Sequence, residues 1–157
     1  MKIQKIPHIE VNEICHQLGE GSPKSIKQVS GGDIHKSWQI EFHNAKFLLK
    51  RNERKLKNLK FEEYCLKNLK KFINYENLVI PKIISYLEIN NVELLLLEWI
   101  NMNNTNQEKL GKGLAEMHIE SNKFNPKSFG YPINGYIGTS NQIKGWEKNW
   151  IKCFINF

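Results

Sequence analysis

The chain has 157 residues, of which 40% are hydrophobic and 25% charged, a composition typical of a globular protein. Its longest apolar run, Leu94 to Leu97, is far shorter than the roughly 18 residues of a membrane-spanning helix. The N-terminal segment MKIQKIPHIE contains no apolar stretch of signal-peptide length. These features argue against a membrane protein, and we expect a cytoplasmic location.

Three cysteines, Cys15, Cys65 and Cys153, are widely separated along the chain. Their odd number and their spacing indicate neither a disulfide framework nor a zinc site. We interpret them as buried or half-buried thiols, and we expect no metal site in this chain.

The formal net charge is +7, and the whole excess lies in residues 46–71, which hold ten Lys or Arg against three acids. A segment of this kind could bind nucleic acid. However, its only arginines are Arg51 and Arg54, and arginine is the side chain that nucleic-acid surfaces favour. We therefore interpret the segment as a solvated basic helix face and do not expect a nucleic-acid partner.

The first part of the chain predicts a helix followed by antiparallel strands. Residues 8–18 indicate a short helix, which the turn-forming residues 19–23 end. Apolar and polar side chains then alternate from Trp38 to Phe42, which is the period of a half-buried strand. After a short turn, residues 46–50 predict a second strand, and its last residue is Lys50.

Residues 54–73 change to the period of a helix, with a carboxylate among the apolar residues of one face. Glu62 completes the apolar spacing, whereas its neighbour Glu63 is expected to point elsewhere. A carboxylate in an apolar stripe is costly unless it is paired, so we expect Glu62 to be buried with a cationic partner. The apolar residues of this face are Leu59, Leu66, Leu69 and Ile73.

Two further strands are predicted at residues 83–89 and 92–97. Asn90 and Asn91 join them, and asparagine tolerates the positive φ of a hairpin turn. The polar stretch 101–107 that follows suits a connector between lobes.

The rest of the chain predicts two more helices. Residues 110–118 carry apolar side chains at helical spacing. The tail from Phe129 to Phe157 is rich in Gly, Asn and aromatic residues, and Trp146 and Trp150 lie four residues apart on an expected last helix.

A glycine-containing turn precedes the two predicted strands, the second of which ends in Lys50. Gly31, Gly32 and Asp33 could form a tight turn, or a loop over the phosphates of a nucleotide, because backbone without side chains can approach phosphate oxygens. A strand lysine can bridge the α and β phosphates, and a glutamate on the next helix, here Glu62, can hold that lysine extended. Alone, each residue also has an ordinary explanation as a turn, a surface lysine or a solvent-reaching glutamate.

The end of the last predicted strand completes this pattern. Glu98, Trp99 and Ile100 offer backbone donors and acceptors to the edge of an adenine. Together the four features predict an α+β fold: a protein-kinase-like N-lobe of antiparallel sheet and C-type helix in residues 1–100. Residues 101–157 are expected to form the hinge connector and the first helices of a truncated helical C-lobe.

Six blocks of the sequence resemble the fructosamine kinase, or ketosamine kinase, family, a branch of the aminoglycoside-phosphotransferase-like and protein-kinase-like superfamily. The resemblance covers nearly the whole chain, and the last block is the most specific. The blocks are VSGGDIHKSWQIEF, FLLKRNE, IPKII, LLLLEWI, LGKGLAEMH and FGYPINGYIGTSNQIKGWEKNW.

The resemblance implies ATP-dependent phosphorylation of the sugar 3-hydroxyl of a ketosamine, with glycated small molecules or glycated protein lysines as substrates. The phosphorylated adduct then breaks down, so the activity is deglycation repair. By this resemblance, ATP is the nucleotide and Mg²⁺ the metal. The matching nucleotide-binding positions are Gly31, Gly32 and Asp33 for the loop, Lys50 for the phosphates, Glu62 as its partner, and Glu98, Trp99 and Ile100 for the adenine hinge.

The family's catalytic His-Gly-Asp…Asn loop and its metal-binding Asp have no counterpart in residues 1–157. Catalytic and metal residues are therefore expected C-terminal to Phe157, and His118, at the end of a helix, is interpreted as a packing or capping residue. We expect a fragment that is inactive alone, with the missing C-terminal half as a partner. The alternatives are a non-catalytic pseudokinase-like binding module and, less favoured, a nucleic-acid-binding domain.

Overall fold

The computed structural model describes residues 5–30, 34–53, 57–102, 106–124 and 127–156. Within these ranges no helix combines the length and the apolar character needed to cross a membrane. The protein-kinase-like α+β fold is confirmed, with helices packed on an antiparallel sheet.

The main element is a five-stranded antiparallel sheet with strand order β1-β2-β3-β5-β4. The Asn90–Asn91 turn joins β4 to β5, and both residues have the predicted positive φ, of 51° and 65°. The strands are β1 Ser25–Val29, β2 Lys36–Glu41, β3 Lys46–Asn52, β4 Ile83–Ile89 and β5 Val92–Glu98.

Helix α1, His8–Leu18, has the bounds that the sequence predicts. Gly19 ends it with a φ of 64°, a left-handed conformation that glycine adopts without steric cost. Ile14 packs into the core between this helix and the sheet, while Glu10 of the same helix forms a bidentate ion pair with Arg51. The other core residues include Phe42, which directly follows β2, and the sheet residues Trp38, Ile40, Leu49, Leu94 and Leu96.

Helix α2, Asn58–Leu69, is shorter than the predicted helix, and the carboxylate that it buries is not the predicted one. It ends at Leu69 and continues only as the 3-10 turn Lys70–Phe72. Glu63 is buried and binds Lys60, whereas Glu62 retains 28% of its side-chain exposure. The prediction that Glu62 is the buried residue and Glu63 points elsewhere is therefore wrong. Glu62 and Glu63 lie three and four residues after the fully buried Leu59, so both neighbour it on the helix surface, and helical spacing alone does not decide which of them is buried.

The chain divides into two compact units. The first comprises Met1–Glu63 and Pro81–Asn101, and the second comprises Tyr64–Ile80 and Met102–Phe157. The assignment of residues 1–100 to an N-lobe and 101–157 to the start of a C-lobe stays a prediction.

Beyond the end of α2 and the 3-10 turn, the described residues of the second unit form two further helices and four short strands. The expectation that Trp146 lies on the last helix is wrong, because Trp146 belongs to β9 and the helix begins only at Trp150. Strands of three residues are too short to show an alternating pattern in the sequence. The elements are α3 Gln107–Phe124, β6 Phe129–Tyr131, β7 Gly135–Ile137, β8 Ser140–Gln142, β9 Gly145–Glu147 and α4 Trp150–Asn156, with β6 paired to β9 and β7 to β8.

Two glycines of α3 provide a matched test of packing in the second unit. A Cβ at Gly113 would lie 2.7 Å from the Cβ of Leu78, whereas a Cβ at Gly111 meets no atom within 4 Å. We expect Gly111→Ala to raise the free energy of unfolding by about 0.5–1 kcal/mol, because alanine favours the helix. Gly113→Ala should lower it by about 1–3 kcal/mol through overpacking. Urea unfolding followed by the amide signals of α3 measures both, and equal effects would contradict this packing.

The buried pair between Glu10 and Arg51 provides a test in the first unit. Their side chains are 4% and 7% exposed, and Glu10→Ala leaves the guanidinium with only the exposed Glu53 as a carboxylate partner among the described residues. We expect a loss of about 3–5 kcal/mol in the free energy of unfolding, as for other broken buried pairs. Lys57→Ala removes the exposed pair with Glu88 and should cost about 1 kcal/mol or less. Urea unfolding followed by amide signals of the sheet compares the two.

Candidate functional site

Lys50 lies in β3 and points to the face of the sheet opposite to α1. Its ammonium contacts both carboxylate oxygens of Glu62 on α2, at 2.7 Å to Oε1 and 2.6 Å to Oε2. The cationic partner expected for Glu62 is thus present. The two side chains are 23% and 28% exposed, so the pair is partly desolvated but still reachable from solvent.

The predicted hinge, Glu98 to Ile100, begins at the last residue of β5. The amides of its first two residues form backbone hydrogen bonds with residues next to the sheet or in it. The N–H of Glu98 donates to the carbonyl of Lys82 at 2.9 Å, and the N–H of Trp99 donates to the carbonyl of Lys46 at 3.2 Å. The Glu98 carboxylate accepts a hydrogen bond from the Lys82 amide at 2.7 Å. Among the described residues, no backbone carbonyl accepts a hydrogen bond from the N–H of Ile100.

Of the other predicted site residues, Gly31, Gly32 and Asp33 lie outside the described residues. Their assignment to the nucleotide loop stays a prediction. The strands on either side of this loop, β1 and β2, pair in register from Val29 with Ser37 to Ser25 with Glu41.

Several cations of the basic segment, residues 46–71, pair with carboxylates in the part of the chain that the structure describes. The structure describes eight of its ten basic side chains, and at least five of these eight have carboxylate partners, which weakens the electrostatic argument for nucleic-acid binding. The pairs are Lys46 with Glu41, Lys50 with Glu62, Arg51 with Glu10 and Glu53, Lys57 with Glu88, and Lys60 with Glu63.

In the part of the chain that the structure describes, no group of three or more His, Cys, Asp or Glu could hold a metal ion. The three thiols are buried or half-buried as predicted, and burial raises the pKa of Cys15 above its ordinary value. His118 is exposed in the interior of α3, which continues to Phe124, so its interpretation as a packing or capping residue at a helix end is wrong.

Comparison with known proteins decides the family. A family model described as fructosamine kinase matches residues 8–156, which is nearly the whole chain. The chain belongs to the fructosamine kinase family.

Individual relatives agree with this membership. A solved structure from Haemophilus somnus, provisionally named a fructosamine-3-kinase, aligns with a TM-score of 0.75 at 21% identity, over 92% of this chain and 49% of that one. A probable ketoamine kinase of Vibrio parahaemolyticus is 25% identical over 131 residues, which are 81% of this chain and 44% of that protein. An uncharacterised Staphylococcus aureus protein is 33% identical over 115 residues, 71% of this chain and 86% of that protein. This fructosamine kinase family chain therefore spans about half the length of the ketoamine kinases it matches.

Sequence reasoning missed one polar group that lies beside the Lys50 pair in this family member. Glu93 is the second residue of β5 and is fully buried, with its carboxylate hydrogen-bonded to β3, β4 and α2. The sequence contained an indication that Glu93 is buried. Glu93 lies two residues before Leu95 and four before Leu97, so on a strand its side chain lies on the same face of the sheet as theirs. The same kind of signal marks Glu10, which lies one helical turn before Ile14 on the apolar face of α1.

Proposed function

We propose that this chain forms the ATP-binding N-lobe and the start of the C-lobe of a fructosamine or ketosamine kinase. The single observation that carries this proposal is the ion pair between Lys50 and Glu62, on a chain whose family is established. An ammonium has three donors, so Lys50 can keep its bond to Glu62 while donating to phosphate oxygens.

The other nucleotide contacts in this proposal follow from the position of that pair. Gly31, Gly32 and Asp33 would cover the phosphates, and the Ile100 amide would donate to the adenine edge. Glu98 and Trp99 have structural amide bonds, so they would contribute through other backbone groups.

The complete reaction in this proposal is transfer of the γ-phosphoryl group of ATP to the 3-hydroxyl of a ketosamine. The described residues offer no cluster for a metal ion, and the sequence has no His-Gly-Asp loop. We therefore assign Mg²⁺ ligands and the residue that orients the acceptor hydroxyl to a polypeptide segment equivalent to the relatives' second half. The residues of this chain bind and orient the nucleotide, and no chemical step is assigned to them.

A non-catalytic binding module is the second candidate, favoured by the exposed apolar face of α4. Trp150, Ile151, Phe154 and Ile155 are each more than half exposed there. This candidate requires a protein partner but no phosphoryl transfer.

Nucleotide binding tests the assigned role of Lys50. Lys50→Met should weaken ATP binding by about ten- to a hundredfold, because hydrogen bonds to charged groups are worth about 1.5–3 kcal/mol. Isothermal titration calorimetry at low salt measures the dissociation constant. Lys24→Met, which removes an exposed lysine of equal charge just before β1, is the matched control and should leave the affinity unchanged. Equal affinity of the wild type and Lys50→Met would contradict the role of Lys50.

The reaction itself is tested by complementation. The chain is mixed with, or fused to, the second half of the Haemophilus somnus relative, and a ketosamine made from glucose and lysine is supplied with ATP and Mg²⁺. We expect phosphorylation of the ketosamine, detected by mass spectrometry, and its loss in Lys50→Met. ATP binding without any phosphorylation by a folded complex would favour the binding module instead.

A further inference from the structure

Glu93 is a fully buried carboxylate at the start of β5. In the strand register it lies opposite Asn52 of β3, while Leu95 lies opposite Lys50. Side chains two residues apart on a strand share a face, so Glu93, Asn52 and Lys50 all lie on the face that meets α2. Burying a carboxylate is costly unless donors surround it.

The donors around Glu93 come from three different elements. Asn52 Nδ2 donates to Oε2 at 2.6 Å, and the Tyr86 hydroxyl of β4 donates to Oε1 at 2.8 Å. The backbone amides of Lys60 and Leu59 in α2 donate at 3.0 Å and 3.4 Å. All of these donors are neutral, so Glu93 differs from Glu10 and Glu63, the other carboxylates buried among the described residues, which pair with basic side chains.

The two backbone donors are the amides of the first turn of α2. Such amides have no acceptor within their own helix, and the N-terminal end of a helix carries a partial positive charge. A carboxylate usually satisfies them from a capping residue close in sequence. Here the carboxylate comes from a strand of the sheet, 33 residues beyond Lys60. The cap therefore attaches the end of α2 directly to β5.

This attachment lies next to the candidate nucleotide site. Glu62 follows Lys60 by two residues, about 3 Å along the helix axis, and Lys50 precedes Asn52 by two residues on β3. Each helical residue rotates by about 100°, so fixing the first turn also fixes the direction of the Glu62 side chain. Lys60 strengthens the attachment, since its ammonium lies 4.4 Å from the centre of the Tyr86 ring.

Tyr86 is suited to remain a donor to Glu93. Burial, and then the hydrogen bond to Glu93, raises the pKa of the Tyr86 hydroxyl above its ordinary value. The hydroxyl therefore stays protonated at neutral pH and keeps its proton directed at Oε1.

We propose that Glu93 is a positioning residue for nucleotide binding: it caps α2 from the sheet and thereby sets the register in which Glu62 meets Lys50. The inference rests on the proposed function in one respect, namely that the positioned ammonium of Lys50 faces the phosphates of ATP. Its structural part, control of the pair between Lys50 and Glu62, holds without nucleotide.

The first experiment measures the coupling between Lys50 and Glu62 in the absence of nucleotide. Urea unfolding of Lys50→Met, Glu62→Gln and the double variant gives the factor by which the two residues stabilise each other, expected to be roughly two- to fivefold for a partly exposed pair. The same cycle in a Glu93→Gln background should give a factor near one. The first-turn amides of Leu59 and Lys60 should also exchange with solvent faster in Glu93→Gln.

The matched control is Glu88→Gln, which changes the same kind of side chain at the position directly opposite Glu93 on β4. Glu88 is exposed and pairs with Lys57, so its loss should leave the coupling between Lys50 and Glu62 unchanged. If Glu93→Gln does not fold, Glu93→Asp takes its place, because the shorter side chain keeps the charge but withdraws from the amides. A coupling factor equal to wild type in the folded variant overturns the inference.

The second experiment links the cap to ATP. Calorimetry should show that Glu93→Gln weakens ATP binding about as much as Glu62→Gln does, and that the double variant is no weaker than either. A purely stabilising role predicts no such non-additivity. Wild-type ATP affinity in Glu93→Gln overturns the positioning role while the proposed function stands. If the wild type does not bind ATP, the proposed function fails, and the coupling measurement alone decides whether Glu93 sets the pair.

Discussion

Consecutive side chains of a strand point to opposite faces of a sheet, and in β3 the consecutive residues Lys50 and Arg51 are both basic. Each needs a carboxylate, because a cation on a covered face of a sheet is costly without a partner. Glu62 of α2 supplies one and Glu10 of α1 supplies the other. These two ion pairs tie one helix to each face of the same strand, and the arrangement of the first unit depends on them.

The two ion pairs differ in how far they are exposed to solvent. The guanidinium of Arg51 is bound in a bidentate manner to Glu10, and both side chains are almost fully buried, so this pair is closed to any ligand. Lys50 and Glu62 keep about a quarter of their exposure, which leaves room for a second anion beside the ammonium. The same strand thus carries a buried cation and, one residue away, a partly exposed cation, the one to which the proposed function assigns the phosphates.

Much of this arrangement could be predicted from the sequence, where the local pattern was long enough. The bounds of α1, the positive φ of Asn90 and Asn91, and the meeting of Lys50 with Glu62 all agree with the structure. These features depend on periodicity, on turn chemistry and on the order of motifs, which the sequence contains directly.

Other features depend on tertiary contacts that no local pattern specifies. Helical spacing through Ile73 identified Glu62 as the buried carboxylate, but α2 ends at Leu69 and buries Glu63. Three-residue strands such as β9, which contains Trp146, are too short for a period to be recognised. The contact of Glu93 with the first turn of α2 could not be predicted, because no local pattern shows that β5 lies next to the N-terminal end of α2. Its burial could have been predicted, because Glu93 shares a strand face with Leu95.

The central claim is that Lys50 is the lysine that faces the phosphates of ATP, and covalent labelling tests it most directly. An acyl-phosphate derivative of ATP transfers its acyl group to a lysine next to the bound phosphates, and peptide mass spectrometry locates the modified residue. We predict selective acylation of Lys50, suppressed by excess unmodified ATP. Acylation spread over exposed lysines and unaffected by ATP would contradict the claim.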